Sequence, residues 1–301
     1  FSASFLNACL RHCDTVGMAN IAPIVNTRGP LYVHPGGVVK RTTFHTLAMY
    51  ANLLEGRVAK SSVNSARLVH GRRSVAMVDA VATGGSEAAA TLTALAGFGN
   101  MTALTSSGVS RPFDAERDGF VLGEGAAVLV LEEWSNAVAR GATILGEILG
   151  GASTADAHHI TAPSPGGVGA IACMRLALAE SGLEPGDVKQ VNAHGTSTPL
   201  NDAAEATAIT EVFGPGNVPV VSTKGVTGHA LGAAGALEAA AALLSIEHRL
   251  IPPTANTTTI GDGMEIDLVF GEPRAWEPGP VISNNFGFGG HNGSVVIAPP
   301  T

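Results

Sequence analysis

VKQVNAHGTSTPLNDAAEATAITEVF, residues 188–213, begins as an apolar strand (Val188 to Ala193), crosses the polar loop His194-Gly195-Thr196-Ser197-Thr198, and ends as a helix (Asp202 to Phe213). An apolar strand of this kind is buried on both faces, and a strand leading directly into a helix is the building unit of an α/β fold. The unit recurs on either side. Upstream, a strand Thr143 to Gly150 precedes a helix Val168 to Ser181; downstream, a strand Val218 to Ser222 precedes a helix Leu231 to Glu247. A final apolar pair, Val281 to Asn284 and Gly293 to Ala298, is separated by the turn FGFGG. Earlier still, SVAMVDAVATGG (74–85) reads as a buried strand and Ser86 as the cap of a helix Glu87 to Ala96, with GAAVLVLEE (125–133) a second apolar strand. GFVLGEGAAVLVLE and FGFGGHNGSVVIA share a glycine turn followed by a strand, which hints at an internal duplication.

Three polar clusters follow apolar strands and carry glycines that let a ligand approach the backbone, where α/β folds place their sites. They are Asn192-Ala193-His194-Gly195-Thr196-Ser197-Thr198, Ser222-Thr223-Lys224-Gly225-Val226-Thr227-Gly228-His229, and Asn284-Asn285-Phe286-Gly287-Phe288-Gly289-Gly290. Any one histidine here reads as a hydrogen-bonded structural residue, and a lone lysine beside glycines as solvated. FGFGG precedes a strand instead of a helix, so it is not a dinucleotide-binding turn.

The ordered strings VNAHGTSTPLNDAAEA, STKGVTGHALGAAGALEA, NNFGFGGHNGS and, upstream, RPFDAERDGFVLGEGAAVLVLEE resemble the β-ketoacyl-acyl-carrier-protein synthases across about residues 71–301. The resemblance implies a thiolase-like α/β fold with a complete C-terminal half (141–301) and a truncated N-terminal half (71–140). It also implies a homodimer in the cytoplasm that condenses an acyl thioester with malonyl-acyl carrier protein, in fatty acid or polyketide synthesis, without a cofactor. Carried over residue by residue, His194 and His229 resemble the pair that binds the malonyl thioester carbonyl. Two N–H donors aimed at that oxygen stabilise the enolate formed as CO2 leaves. Lys224 resembles the family's lysine, whose charge favours neutral imidazoles, and Glu238 the carboxylate that orients it. Phe288 resembles the gating phenylalanine, with Phe286, Gly289, Thr196 and Thr198 as further substrate-binding or gating positions.

The family also uses a cysteine nucleophile in a T-A-C-x-x-G setting, upstream of the stretch that matches VDAVATGGSE. At the corresponding place this sequence has NSARLVHGRRSVAM, without cysteine. Cys173 lies among Ile171, Met174, Leu176 and Leu178 and reads as a small core residue. Residues 1–70, with FLNACLRHCDTVGMANIAPIVNTRGP at their head, instead resemble the late barrel region of α-L-arabinofuranosidases. Those retaining glycosidases need two carboxylates, and the only acids before residue 70 are Asp14 and Glu55. No glycosidase activity is expected, and the chain reads as a junction of two unrelated fragments. A half-domain lacking strands would carry an unpaired sheet edge and uncovered apolar surface.

Composition agrees with a packed α/β protein. Of 301 residues 45% are hydrophobic and 14% charged, enough to bury a large core. A formal charge of −8 excludes general attraction to nucleic acid or an anionic membrane. Three cysteines make no disulfide framework and fit a reducing compartment. No secretory signal or membrane span is expected: the first residues lack a basic segment followed by an apolar run, and Gly225 to Ile246 contains His229 and Glu238. The chain does not begin with Met and reads as a fragment. Helices over residues 2–16 and Thr42 to Leu54 and a strand Ile21 to Val25 are expected before the junction, where Cys9, His12 and Cys13 form a packed helix face in preference to a metal site. Two further functions stay open beside an impaired synthase. One is a non-catalytic dimerising relic or fusion product. The other, ranked last, is a metal-dependent hydrolase using His158, His159, His194 or His229 with Asp156, for which no HExxH spacing exists.

Overall fold

The computed structural model describes residues 90–301 and, by backbone alone, four short strands before them. These are β1 (Leu31–His34), β2 (Gly37–Lys40), β3 (Arg67–His70) and β4 (Arg73–Ala76), paired as two antiparallel hairpins, β1 with β2 and β3 with β4. The expected helices over residues 2–16 and 42–54, the strand 21–25, the Ser86 cap and the cysteine pair Cys9 and Cys13 lie outside the described residues. The chain divides into two compact units, Phe1–Thr83 with Leu131–Ala142, and Gly84–Val130 with Thr143–Thr301. Among the described residues of the first unit are the two hairpins and the short helix α2 (Trp134–Ala139), capped by the Glu133 carboxylate on the Asn136 N–H at 3.1 Å.

The second unit starts with α1 (Leu92–Asn100). Its cap is Thr91, whose hydroxyl accepts from the Ala94 N–H, so the helix begins later than the expected Glu87. The rest is built on a six-stranded sheet of β5 (Glu147–Ala155), β6 (Gln190–Asn192), β7 (Pro219–Val221), β9 (Asp267–Leu268), β11 (Val281–Gly287) and β12 (His291–Ala298). Their order is β5-β12-β11-β6-β7-β9. β11, β6, β7 and β9 run parallel to their neighbours, with Ile282 opposite Val191 and Val191 opposite Val220. β12 is antiparallel to both β11 and β5. β8 (Leu250–Ile251) and β10 (Arg274–Ala275) form a separate two-stranded pair.

Alternation along β11 and β12 divides the core. Ile282 and Val296 face a cluster containing Val191, Val220, Met174, Leu178 and Ile209 from the flanking helices α3 (Val168–Ser181) and α4 (Pro199–Phe213). Val281 and Ile297 face Ala242 and Ile246 of α6 (Ala234–His248). Cys173 of α3 is fully buried, as its apolar neighbours require, with its thiol 3.3 Å from the Ala152 carbonyl. The α/β character and the helix 168–181 match the sequence reading. Two strands do not. The strand expected at 143–150 forms at Glu147–Ala155, in register with the whole of β12. GAAVLVLEE forms no strand: among the described residues nothing pairs with it, and Val128 and Val130 are exposed. Its apolar pattern needs neighbouring strands to make a sheet, and a strand without a ladder leaves its backbone groups to water. No helix among the described residues is long and apolar enough to cross a membrane.

Candidate active site

The three polar clusters meet because β6, β7 and β11 are parallel neighbours and end on the same side. His194 follows β6, Lys224 opens the one-turn helix α5 (Lys224–Thr227) after β7, and Asn285 and Phe286 close β11. Loops at the carboxyl ends of parallel strands converge in this way.

The His194 loop is clamped from the first two turns of α4. The buried Glu205 carboxylate accepts the N–H groups of His194 and Gly195 at 2.8 and 2.7 Å. The fully buried Asp202 carboxylate accepts those of Thr196 and Ser197 at 3.0 and 3.1 Å, and that of Phe113 at 2.7 Å. Gly195 sits at φ +36°, and a Cβ there would lie 2.6 Å from that of Ser222, so the loop admits only glycine. Burial raises both carboxyls, that of Glu205 to about 7, despite the backbone N–H groups that favour its charge. The segment Arg111 to Gly123 folds over this loop: Gly119 N–H donates to the Ser197 carbonyl, and Leu122 bridges His229. A Cβ at Gly123 would lie 2.2 Å from the Thr227 carbonyl oxygen, so the approach depends on glycine.

His194 and His229 stand edge to face with ring centroids 5.2 Å apart. Lys224, 1% exposed, donates from Nζ to the His194 carbonyl at 2.6 Å, approaches His194 Nδ1 at 3.3 Å, and forms an ion pair with Glu238, also buried. An ammonium has protons only to give, so His194 Nδ1 accepts and the ring proton sits on Nε2. Burial holds His194 well below the usual imidazole range, with Lys224 and then His229 adding to the effect. Burial and Lys224 bring His229 down to about 3. Both rings are neutral near pH 7. Burial raises the Glu238 carboxyl, against the pull of Lys224 and Asn285. Among the described residues, the buried Nδ1 of His229 has no hydrogen-bond partner.

The remaining expected residues fall in distinct places. Phe286 packs against His194, ring centroids 5.9 Å apart, and the buried Thr196 hydroxyl is 2.9 Å from that of Thr198. Phe288 and Gly289 form the turn between β11 and β12. Phe288 is half exposed, 6.1 Å from Phe98, and Gly289 N–H donates to the Ile160 carbonyl. Phe98 in turn contacts Phe120, which packs edge to face on His229 at 5.1 Å. His158 and His159 are exposed, and His159 Nδ1 accepts from the N–H groups of Thr161 and Ala162. The Asp156 carboxylate is occupied by Asn292 and the Ser164 N–H. Among the described residues no three His, Cys, Asp or Glu side chains are grouped to hold a metal, so the hydrolase constellation is not assembled. Sequence reasoning missed Asp202, Glu205, Asn285 and Phe120. The first two were visible as acids spaced i, i+3 in the two helical turns that follow HGTST.

These features define an α/β protein whose parallel strands bring two neutral imidazoles together, one of them in contact with a buried lysine–glutamate pair. Residues 145–258 match the family described as Beta-ketoacyl synthase, C-terminal domain, and this part of the chain belongs to the β-ketoacyl synthases. Similar proteins include a 3-oxoacyl-[acyl-carrier-protein] synthase 2 of Synechocystis, 47% identical over 75% of this chain and 55% of its own length. A β-ketoacyl synthase structure from Burkholderia phymatum is 40% identical with TM-score 0.70, covering 73% of this chain and 54% of that one. A type II polyketide ketosynthase, AntDE, solved with its acyl-carrier protein AntF, is 33% identical with TM-score 0.70, over 72% and 55%. The chain spans about half the length of such relatives. Residues 1–118 match a different family, the Alpha-L-arabinofuranosidase C-terminal domain, so the chain joins sequence from two unrelated families. That match runs past residue 70, where composition placed the junction.

Proposed function

We propose that His194, His229, Lys224 and Glu238 form the enolate-stabilising centre of a decarboxylating condensing enzyme, acting on malonyl thioesters of acyl carrier protein. The observation that carries this reading is the pair of neutral imidazoles 5.2 Å apart, one with its ring proton placed on Nε2 by Lys224. The thioester carbonyl oxygen lies between the two rings. The C–C bond to the carboxylate breaks, its electron pair moves onto that oxygen as an enolate, and CO2 departs. Two preorganised N–H donors stabilise this charge as it forms. Water protonates the enolate carbon to give the acetyl thioester. Transfer of an acyl chain needs a thiolate, and the sequence places no cysteine where the family carries one; condensation is therefore impaired while decarboxylation persists. The carrier protein bound to the ketosynthase relative supports the same class of partner here, with a homodimer in the cytoplasm as the working assembly. CO2 release from malonyl-acyl carrier protein tests the reading. His229→Ala is expected to lower it on the order of a hundred-fold, the usual loss with one oxyanion donor. Equal rates would leave a non-catalytic relic as the better account.

A further inference from the structure

We infer that Asn285 is a positioning residue for this centre, one that fixes the orienting carboxylate and, through Lys224, the reacting imidazole. The inference rests on the function proposed above. Asn285 Nδ2 donates to Glu238 Oε2 at 2.9 Å. Glu238 Oε1 is paired with Lys224, and Lys224 Nζ lies 3.3 Å from His194 Nδ1. The side chains therefore form a chain, Asn285 to Glu238 to Lys224 to His194, within the buried end of the sheet. Each Glu238 oxygen has a different partner, so the carboxylate cannot rotate toward Lys224 with both oxygens. With its NH2 committed to Glu238, the carboxamide holds its carbonyl oxygen, an acceptor only, away from that carboxylate. Among the groups acting on His194, Asn285 alone favours the charged ring, opposing burial, Lys224 and His229. The side chain is thus placed to set both the geometry of the lysine–glutamate pair and the proton inventory of His194. Supporting groups of this kind typically change activity 10–100-fold without touching substrate.

The test compares Asn285→Ala, Asn285→Ser and Asn285→Asp in the full chain, by CO2 release from malonyl-acyl carrier protein across pH and by 15N NMR titration of the His194 ring. Asn285→Ala is expected to lower kcat on the order of ten-fold with KM nearly unchanged, because orientation acts on the transition state. Asn285→Asp adds a second carboxylate to the buried Glu238–Lys224–His194 chain and is expected to raise the His194 titration, and the acid limb of the rate profile, by about one unit or more. A His194 titration in Asn285→Asp identical to the parent, or an unchanged kcat in Asn285→Ala, would overturn the inference. If Asn285→Asp does not fold, Asn285→Ser decides: an altered His194 ring 15N shift at an unchanged melting temperature supports the role, and an unaltered shift refutes it. The NMR arm needs no turnover. Loss of the function proposed above, seen as equal CO2 release by the parent chain and His229→Ala, therefore stays distinguishable from failure of the Asn285 role.

Discussion

Replacing Glu238 by leucine isolates the central electrostatic element. Lys224 and Glu238 are each 1% exposed, and Lys224 keeps only the His194 carbonyl and ring nitrogen once the carboxylate is gone. Removing one member of a buried pair strands the other charge, at a cost of about 3–5 kcal/mol. For a unit of this size each kcal/mol lowers Tm by about 2–4 °C, so Glu238→Leu should melt roughly 6–20 °C below the parent. The double variant Lys224→Met/Glu238→Leu removes both desolvation penalties together and should recover most of the loss. Trp276 reports on this core, since its indole N–H donates to the Ser245 carbonyl of α6 at 3.1 Å. Urea unfolding followed by its fluorescence gives the two free energies. A single variant within about 1 kcal/mol of the parent, or a double variant as unstable as the sum of the two singles, would refute the reasoning.

Other predictions follow from the same geometry. His229 has a folded pKa of about 3 against an ordinary 6.5, so the unfolded chain binds its proton first and stability falls as pH drops below 6.5, down to about 3. At pH 5 the loss from this residue is about 2 kcal/mol, measurable as a stability difference between parent and His229→Asn that narrows from pH 7 to pH 5; a difference independent of pH would contradict it. Asp202→Ala leaves three buried N–H groups, those of Phe113, Thr196 and Ser197, without their acceptor. It should cost more than about 3 kcal/mol, with Asp202→Asn losing less because one acceptor oxygen remains; chemical denaturation of the two variants distinguishes these outcomes. Lys224→Met removes the charge that depresses both histidines and should move the acid limb of CO2 release to higher pH, an effect read from the rate profile.

The strand–loop–helix units of the second half were legible because their strands are apolar and a helix can end at a clear signal, as at Gly182; the start of α4 at Pro199, three residues before the expected Asp202, was not read. His194, Lys224 and His229 were legible only through the resemblance of the ordered strings, since each alone reads as structural or solvated; parallel pairing of β6, β7 and β11 explains why their loops meet. The segment 125–133 misled because apolarity marks a strand only when a neighbour exists to pair with it; here Val130 is 84% exposed. Starts and ends of strands were also invisible: β5 is set by its ladder with β12, a partner more than a hundred residues away. Asn285 escaped attention because an asparagine before FGFGG looks like turn chemistry, whereas its partner Glu238 is 47 residues distant. The Asp202 and Glu205 clamps were hidden for a related reason: acids in the opening turns of a helix read as dipole partners or solvated charges, and only the fold turns them toward the loop before it.

The most direct measurement supplies the chain with both acyl- and malonyl-acyl carrier protein and follows CO2 and 3-oxoacyl product in the same incubation. The account predicts CO2 release that depends on His194 and His229 and no 3-oxoacyl product. Condensation product in proportion to CO2, or CO2 release unaffected by His194→Ala and His229→Ala, would contradict it.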